Sequence, residues 1–249
     1  MISIKNNYAQ KNMATAGAML AEIFYALQSY IKEGLTTFDL DAWIEDQLKK
    51  YNLVSQSKGY MGYKYVSCIS VNDEVVHGVP HGKRKLMSGD LVKVDVCAAW
   101  NGYCADMARC FFVGQADPSA QALVAVAQSA LDKGIDMARV GNHISDISAA
   151  IQYEVESHGF GVVRDFAGHG IGKKMHEDPE ILNYGKPGNG PLIKEGMAFA
   201  LEPMITQGSY KVMVMDDGWT VKTADKSLAA HVEDTVIVTD HGPYVITRL

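Results

Sequence analysis

The segment LVKVDVCAAWNGYCADMARCFF, residues 91–112, decides the fold. Its β-branched and aromatic residues are typical of strands. Asn101-Gly102, in the middle, is the two-residue signal of a tight hairpin, because both turn positions must accept a positive φ. The segment therefore predicts two antiparallel strands joined at Asn101-Gly102.

The two aspartates of this hairpin, Asp95 and Asp106, are predicted to project from one face. The turn pairs Asp95 with Ala108. Asp106 pairs with Cys97 and lies two residues from Ala108. Such diagonal neighbours are ~7–8 Å apart at the backbone. Two ionised carboxylates among valines repel each other unless a cation binds them, so we predict a metal site. The alternative is two surface aspartates on a solvated strand face.

The composition is that of a globular chain with no signal for a membrane or for nucleic acid. Of 249 residues, 47% are hydrophobic and 21% are charged, and the net charge of -6 provides no positive field for nucleic acid. Residues 1–20 lack the apolar core of a signal peptide, and no stretch reaches the roughly 18 apolar residues of a membrane span. We expect a monomeric, cytoplasmic protein. Its four cysteines form no Cys-x-x-Cys pair and are expected to be free thiols: Cys68, Cys97, Cys104 and Cys110.

Two helices followed by strands are predicted twice along the chain. The helices are predicted at about 13–31, 37–50, 119–137 and 144–158, and the Thr36 or Thr37 hydroxyl is expected to cap the second. The strands are predicted at 66–71, 91–96, 103–112, 161–164, 197–201, 210–215, 219–223 and 229–238. This order predicts an α+β chain with two related halves, about 1–115 and 116–249, in a single domain.

The second half supplies three further candidate metal ligands. His169 lies between glycines in Gly168-His169-Gly170, a tight turn that leaves the imidazole accessible. Glu202 ends an apolar run, and Glu233 lies in a segment otherwise suited to burial, where an acid needs a partner. Together with Asp95 and Asp106, these residues indicate a metal centre.

These five residues match in type and order the metal ligands of the pita-bread-fold metallopeptidases, and the whole chain resembles type I methionine aminopeptidase. The motifs that carry the resemblance are Ser70-Val71-Asn72, His77-Gly78-Val79-Pro80, Gly168-His169-Gly170-Ile171-Gly172, His176-Glu177-Asp178-Pro179 and Trp219-Thr220-Val221-Lys222-Thr223.

The resemblance implies a pita-bread fold, in which two pseudo-symmetric halves of helices and antiparallel strands enclose a dinuclear metal cleft. It implies that Asp106 and Glu233 touch both ions. His169 and Glu202 would complete one ion and Asp95 the other. The ions would be two divalent cobalt, manganese, iron or zinc ions. The implied single catalytic domain, 1–249, removes the initiator methionine from peptides and nascent, ribosome-associated chains with a small second residue, by a metal-bridged hydroxide.

The resemblance also assigns catalytic and substrate-binding residues. Glu202 would act as the general base, and His77 and His176 would contact the substrate around the scissile bond, where an imidazole N–H stabilises an oxyanion. An apolar pocket for methionine is expected, and a role in the hydrophobic core is the alternative for each of its candidates: Tyr60, Tyr63, Cys68, Met175, Phe199 and Trp219.

Four residues depart from the family pattern. Lys64 replaces a common proline, Met175 an aromatic residue, His231 a glutamine and Asp234 a histidine. They bear on substrate preference and metal affinity, and they leave open a divergent second copy beside a standard enzyme. Because residues two apart in a strand share a face, we predict that His231 points to the same side as Glu233, where it contacts the metal-bound carboxylates or binds a metal itself. The alternative is that it fills the space of the glutamine.

Two alternative functions are compatible with the same fold. Enzymes of the same fold that cut before proline usually carry an extra N-terminal domain, and here the metal-binding region begins too early for one. A non-catalytic pita-bread protein that binds peptides would have lost metal ligands, whereas all five are present.

Overall fold

Two helices followed by strands occur in each half of the chain, as predicted. The structure is a computed structural model that describes residues 1–249. The first half comprises α1 (Asn7–Tyr30), α2 (Thr37–Lys50), β1 (Val54–Ser55), a 3₁₀ turn (Tyr60–Gly62), β2 (Cys68–Val71), β3 (Glu74–Val76), β4 (Leu91–Trp100) and β5 (Tyr103–Phe112). The second half comprises α3 (Pro118–Met137), α4 (Ile144–Ser157), β6 (Gly161–Val162), β7 (Ala167–Gly170), β8 (Glu177–Leu182), β9 (Ala198–Leu201), β10 (Met204–Thr206), β11 (Val212–Val214), β12 (Val221–Thr223), β13 (Ala229–His231), β14 (Asp234–Thr239) and β15 (Gly242–Val245).

The helix ends follow from local side-chain chemistry. The Thr36 hydroxyl accepts a hydrogen bond from the Asp39 backbone N–H, and the Asp39 carboxylate accepts one from the Thr36 N–H, which makes a capping box at the start of α2. Asp117 caps α3, whose first residue is Pro118. No helix of the protein combines the length and the apolar character that a membrane crossing requires.

The hairpin that decides the fold is confirmed with its register. Asp95 pairs with Ala108 and Cys97 pairs with Asp106. The turn residue Asn101 has a φ of 48°, the left-handed conformation that the sequence requires. β4 continues to Trp100, beyond the predicted end, because it pairs with β5 over its whole length.

Several elements differ from the prediction only at their ends, such as α1, which begins at Asn7 rather than at about 13, and two differ in kind. The strand predicted at 229–238 is divided into β13 and β14, because Glu233 leaves the ladder and forms an isolated bridge with Ala108. The glycine turn predicted around His169 is the strand β7, in which His169 pairs with Ala200 of β9. The strands without a prediction are short or polar: β1, β3, β8, β10 and β15.

Direct contacts join the two halves beside the central strands. β3 pairs with β12 of the second half. The Glu233 N–H donates to the Ala108 carbonyl at 3.0 Å. The Thr235 hydroxyl accepts from the Asp106 N–H and donates to the Asp106 carbonyl, both at 2.8 Å. These bonds fix the backbone of Asp106 relative to that of Glu233.

Candidate metal centre

All five predicted metal ligands line one cavity of about 530 Å³. They come from separate strands of both halves: Asp95 from β4, Asp106 from β5, His169 from β7, Glu202 from the end of β9, and Glu233 from the break between β13 and β14. The chain therefore brings the predicted set together although its members are spread over more than half of the sequence.

The ligand atoms face one another at the distances expected of a metal-binding group. One atom each of Asp106, His169 and Glu233 lies within 4.8 Å of the others. Nε2 of His169 lies 3.5 Å from Oε1 of Glu202. Nδ1 of His169 lies 3.0 Å from the Gly170 carbonyl oxygen, which can only accept, so Nδ1 carries the proton. Nε2 is then a free lone pair directed at the carboxylates.

The four carboxylates resist simultaneous ionisation. Burial raises the pKa of Glu202 to about 8, and burial with the nearby Glu202 raises the pKa of Asp106 to about 7. Burial, followed by the charge of Asp106, raises the pKa of both Asp95 and Glu233 well above their ordinary values. A neighbouring positive charge would reverse these shifts.

Two of these carboxylates contain buried oxygens without any hydrogen-bond partner, Oδ1 of Asp106 and Oε1 of Glu233. Such oxygens are costly to bury unless a cation binds them. Four carboxylates and one neutral imidazole are ligands that divalent transition metals accept. The residues therefore fit a metal centre.

His77 and His176 both line the cavity. His77 follows β3 with a φ of 57°, a strained conformation for a bulky residue, and its ring contacts Phe166 edge-on. Burial, and then the neighbouring His231 and His176, lowers the pKa of His77 to about 4, so the ring is neutral at neutral pH. Nδ1 of His176 lies 3.1 Å from the Tyr60 hydroxyl.

Five of the six candidates for the methionine pocket line the same cavity: Tyr60, Tyr63, Cys68, Met175 and Trp219. The sixth, Phe199, was predicted wrongly, because it is fully buried in the hydrophobic core. It lies three residues before Glu202, and alternate side chains of a strand point to opposite faces. The prediction also missed Phe166, for which the sequence offers no signal, and Met204, two residues after Glu202.

The four departures from the family pattern lie in different environments. Met175 lines the cavity, whereas Lys64 is exposed to solvent. The Asp234 carboxylate is fully buried and forms ion pairs with two arginines. Its Oδ1 lies 2.5 Å from Nη2 of Arg109, and its Oδ2 lies 2.7 Å from Nη2 of Arg248. Nε2 of His231 lies 3.5 Å from Oε2 of Glu202. Among the four, only Met175 and His231 are therefore placed to act directly on the site.

Comparison with known proteins gives the same family throughout. Metallopeptidase family M24 matches residues 11–240. The methionine aminopeptidase of Clostridium acetobutylicum is 47% identical over 99% of both chains. The crystal structure of methionine aminopeptidase from Thermotoga maritima superposes with a TM-score of 0.98, at 41% identity and full coverage of both chains. A prolidase from Pyrococcus furiosus shares the fold at 22% identity, with a TM-score of 0.79, and this chain covers 65% of it.

A family match across most of the chain, relatives of equal length and a five-residue ligand group agree. The fold is the pita-bread fold, and the protein is a metal-dependent hydrolase. The chain belongs to metallopeptidase family M24 and, within it, to the methionine aminopeptidases.

Proposed function

We propose that this protein removes the N-terminal methionine from peptides and nascent proteins whose second residue is small. The observation that carries the proposal is one cavity lined by two kinds of side chain. Five metal-ligand side chains line it together with an aromatic and sulfur-containing wall of Tyr60, Tyr63, Cys68, Met175 and Trp219. The relatives at 47% and 41% identity are methionine aminopeptidases.

The metal-binding part of the cavity suits two divalent ions, of cobalt, manganese, iron or zinc. Two such ions balance the charge of four carboxylates. Asp106 and Glu233 would contact both ions, His169 and Glu202 one of them, and Asp95 the other. When bound, divalent ions of this kind lower the pKa of water and polarise a carbonyl group.

We assign to Glu202 the transfer of the proton of the attacking water. Its carboxylate lines the cavity, with one oxygen 3.5 Å from Nε2 of His169 and the other 3.5 Å from Nε2 of His231. A carboxylate held there accepts the proton of the water and returns it to the leaving amine. His77 and His176 provide N–H groups for the substrate carbonyl as it becomes an oxyanion.

The aromatic and sulfur-containing wall gives a reason for methionine. Tyr63 and Trp219 pack edge-on with ring centroids 5.0 Å apart. A thioether gains favourable contacts at the edges of such rings. Bulk in the second residue would collide with the wall near His77, so small second residues are preferred.

The two halves supply ligands to one centre, so we infer a single catalytic domain over residues 1–249. Newly made chains expose the initiator methionine, which makes nascent chains in the cytoplasm, including those still on the ribosome, the substrates of this proposal. Cleavage before proline is not favoured, because the prolidase likeness concerns the fold alone.

The test is release of free amino acid from Met-Ala-Ser, Met-Leu-Ser and Ala-Pro peptides, with added divalent ions and with a chelator. We expect rapid release of methionine from Met-Ala-Ser, slow release from Met-Leu-Ser and none from Ala-Pro. The chelator should abolish every rate. Equal rates on the two methionine peptides would contradict the size limit, and no release with any metal would favour a peptide-binding protein without activity.

Replacement of His176 by Ala should lower kcat roughly 10²–10³-fold, the usual effect of removing one donor to an oxyanion. KM should change much less, because the donor acts mainly on the transition state. The measurement is steady-state hydrolysis of Met-Ala-Ser. His158→Ala is the matched control, since His158 is exposed at the end of α4, and it should leave both constants unchanged.

A further inference from the structure

His231 faces one carboxylate oxygen of Glu202, Oε2, and His169 faces the other, Oε1. His231 is the last residue of β13 and only 2% exposed. Its Nε2 is buried and has no hydrogen-bond partner. That nitrogen lies 3.5 Å from Oε2 of Glu202. A buried imidazole nitrogen directed at a carboxylate without bonding to it lacks a partner within the protein.

The spacing around Glu202 is that of metal ligands rather than of a hydrogen bond. An N–H···O hydrogen bond spans about 2.7–3.2 Å. Ligands that each lie ~2.0–2.2 Å from one ion are ~3.0–3.5 Å apart when they are neighbours in its coordination shell. His169 and Glu202, which the proposed function places on one ion, show the same 3.5 Å separation. His231 therefore lies at the same distance from one oxygen of Glu202 as His169 does from the other.

A third ligand completes the group. One atom each of Glu202, His231 and Glu233 lies within 4.8 Å of the others. This group shares Glu233 with the group of Asp106, His169 and Glu233. In it, two carboxylate oxygens and one imidazole nitrogen converge.

We propose that His231 is a metal ligand, so that the centre contains two imidazole ligands rather than one. The inference rests on the proposed metal centre and extends its ligand set. A second nitrogen ligand raises the affinity for zinc, cobalt and iron more than for manganese, because imidazole suits the former ions better. His231 thereby biases the choice of metal.

The experiment counts metal-bound imidazoles directly. The protein is labelled with ¹⁵N-histidine, freed of metal and titrated with Zn²⁺, while the ring nitrogens are followed by NMR. We expect two imidazoles with metal-shifted nitrogens in the native protein and one in His231→Gln. The matched control, His241→Gln, removes a histidine that is 92% exposed and should retain two.

Zinc and manganese affinities measured by calorimetry give a second readout. His231→Gln should weaken the binding of one Zn²⁺ at least about tenfold and that of Mn²⁺ much less. One shifted imidazole in the native protein, or unchanged zinc affinity in the variant, would overturn the role of His231. If no imidazole shifts at all, the metal centre itself is refuted, which separates the two failures. The count in the native protein decides the question even if the variant does not fold.

Discussion

Replacement of Asp106 by Asn is expected to lower kcat/KM for Met-Ala-Ser by roughly a thousandfold or more, about 4 kcal/mol of transition-state stabilisation. The change removes one of four negative charges and, in the proposed centre, a ligand shared by both ions. The oxygen Oδ1, which is buried without a partner, makes this position dependent on a cation. At least one metal ion per chain should be lost.

Metal content and activity are measured together on the same preparation. The loss should not come from unfolding. Burial and the charge of Glu202 raise the pKa of Asp106 from 3.8 to about 7, so the metal-free fold loses stability as the pH rises between these values and does not regain it at higher pH. Metal-free Asp106→Asn should therefore melt no lower than the metal-free native protein. Asp165→Asn, at an exposed position, is the matched control. Near-normal turnover with two ions bound would exclude the dinuclear centre.

Replacement of Glu202 by Gln should reduce kcat by roughly 10²–10⁴-fold, the contribution of a general base. An amide cannot accept the proton of the attacking water, whereas substrate binding should persist because the aromatic wall of the cavity is unchanged. The metal content should fall less than in Asp106→Asn, since the two carboxylates assigned to both ions remain.

Steady-state kinetics on Met-Ala-Ser should accordingly show a large fall in kcat with a small change in KM. Glu195→Gln removes the charge of an exposed glutamate and should behave as the native enzyme. A kcat within threefold of native for Glu202→Gln would remove Glu202 from the proton transfer and leave it as a ligand only.

The features that were predictable from sequence are those determined by local chemistry. Asn101-Gly102 sets the hairpin, and a fixed turn determines that Asp95 and Asp106 share a face. The cap of α2 follows from Thr36 in the same way. The other three ligands come from distant strands. Their glycine-flanked or apolar surroundings made them candidates, and the resemblance supplied how the five ligands would be shared between two ions.

The features that were not predictable depend on contacts between distant segments. The break at Glu233 arises because its backbone bonds to Ala108 of the other half, and no local pattern around Glu233 encodes that partner. The orientation of the Asp234 side chain likewise depends on ion pairs with Arg109 of the first half and with Arg248. The error at Phe199 was avoidable, because its odd separation from Glu202 already places it on the opposite face of β9.

Metal binding beside the bridge between Ala108 and Glu233 would make the folding equilibrium of this protein sensitive to the supply of metal in its surroundings. An ion that binds only the folded chain adds a free energy of RT ln(1 + [metal]/Kd), about 4 kcal/mol at a thousand times Kd. Here the metal would bind at the contact between the two halves. The Asp106 N–H donates to Thr235 of the second half, and the Glu233 N–H donates to Ala108 of the first. Metal starvation would thus lower resistance to proteolysis as well as catalytic output, and the cellular lifetime of the protein would follow the metal content of its surroundings.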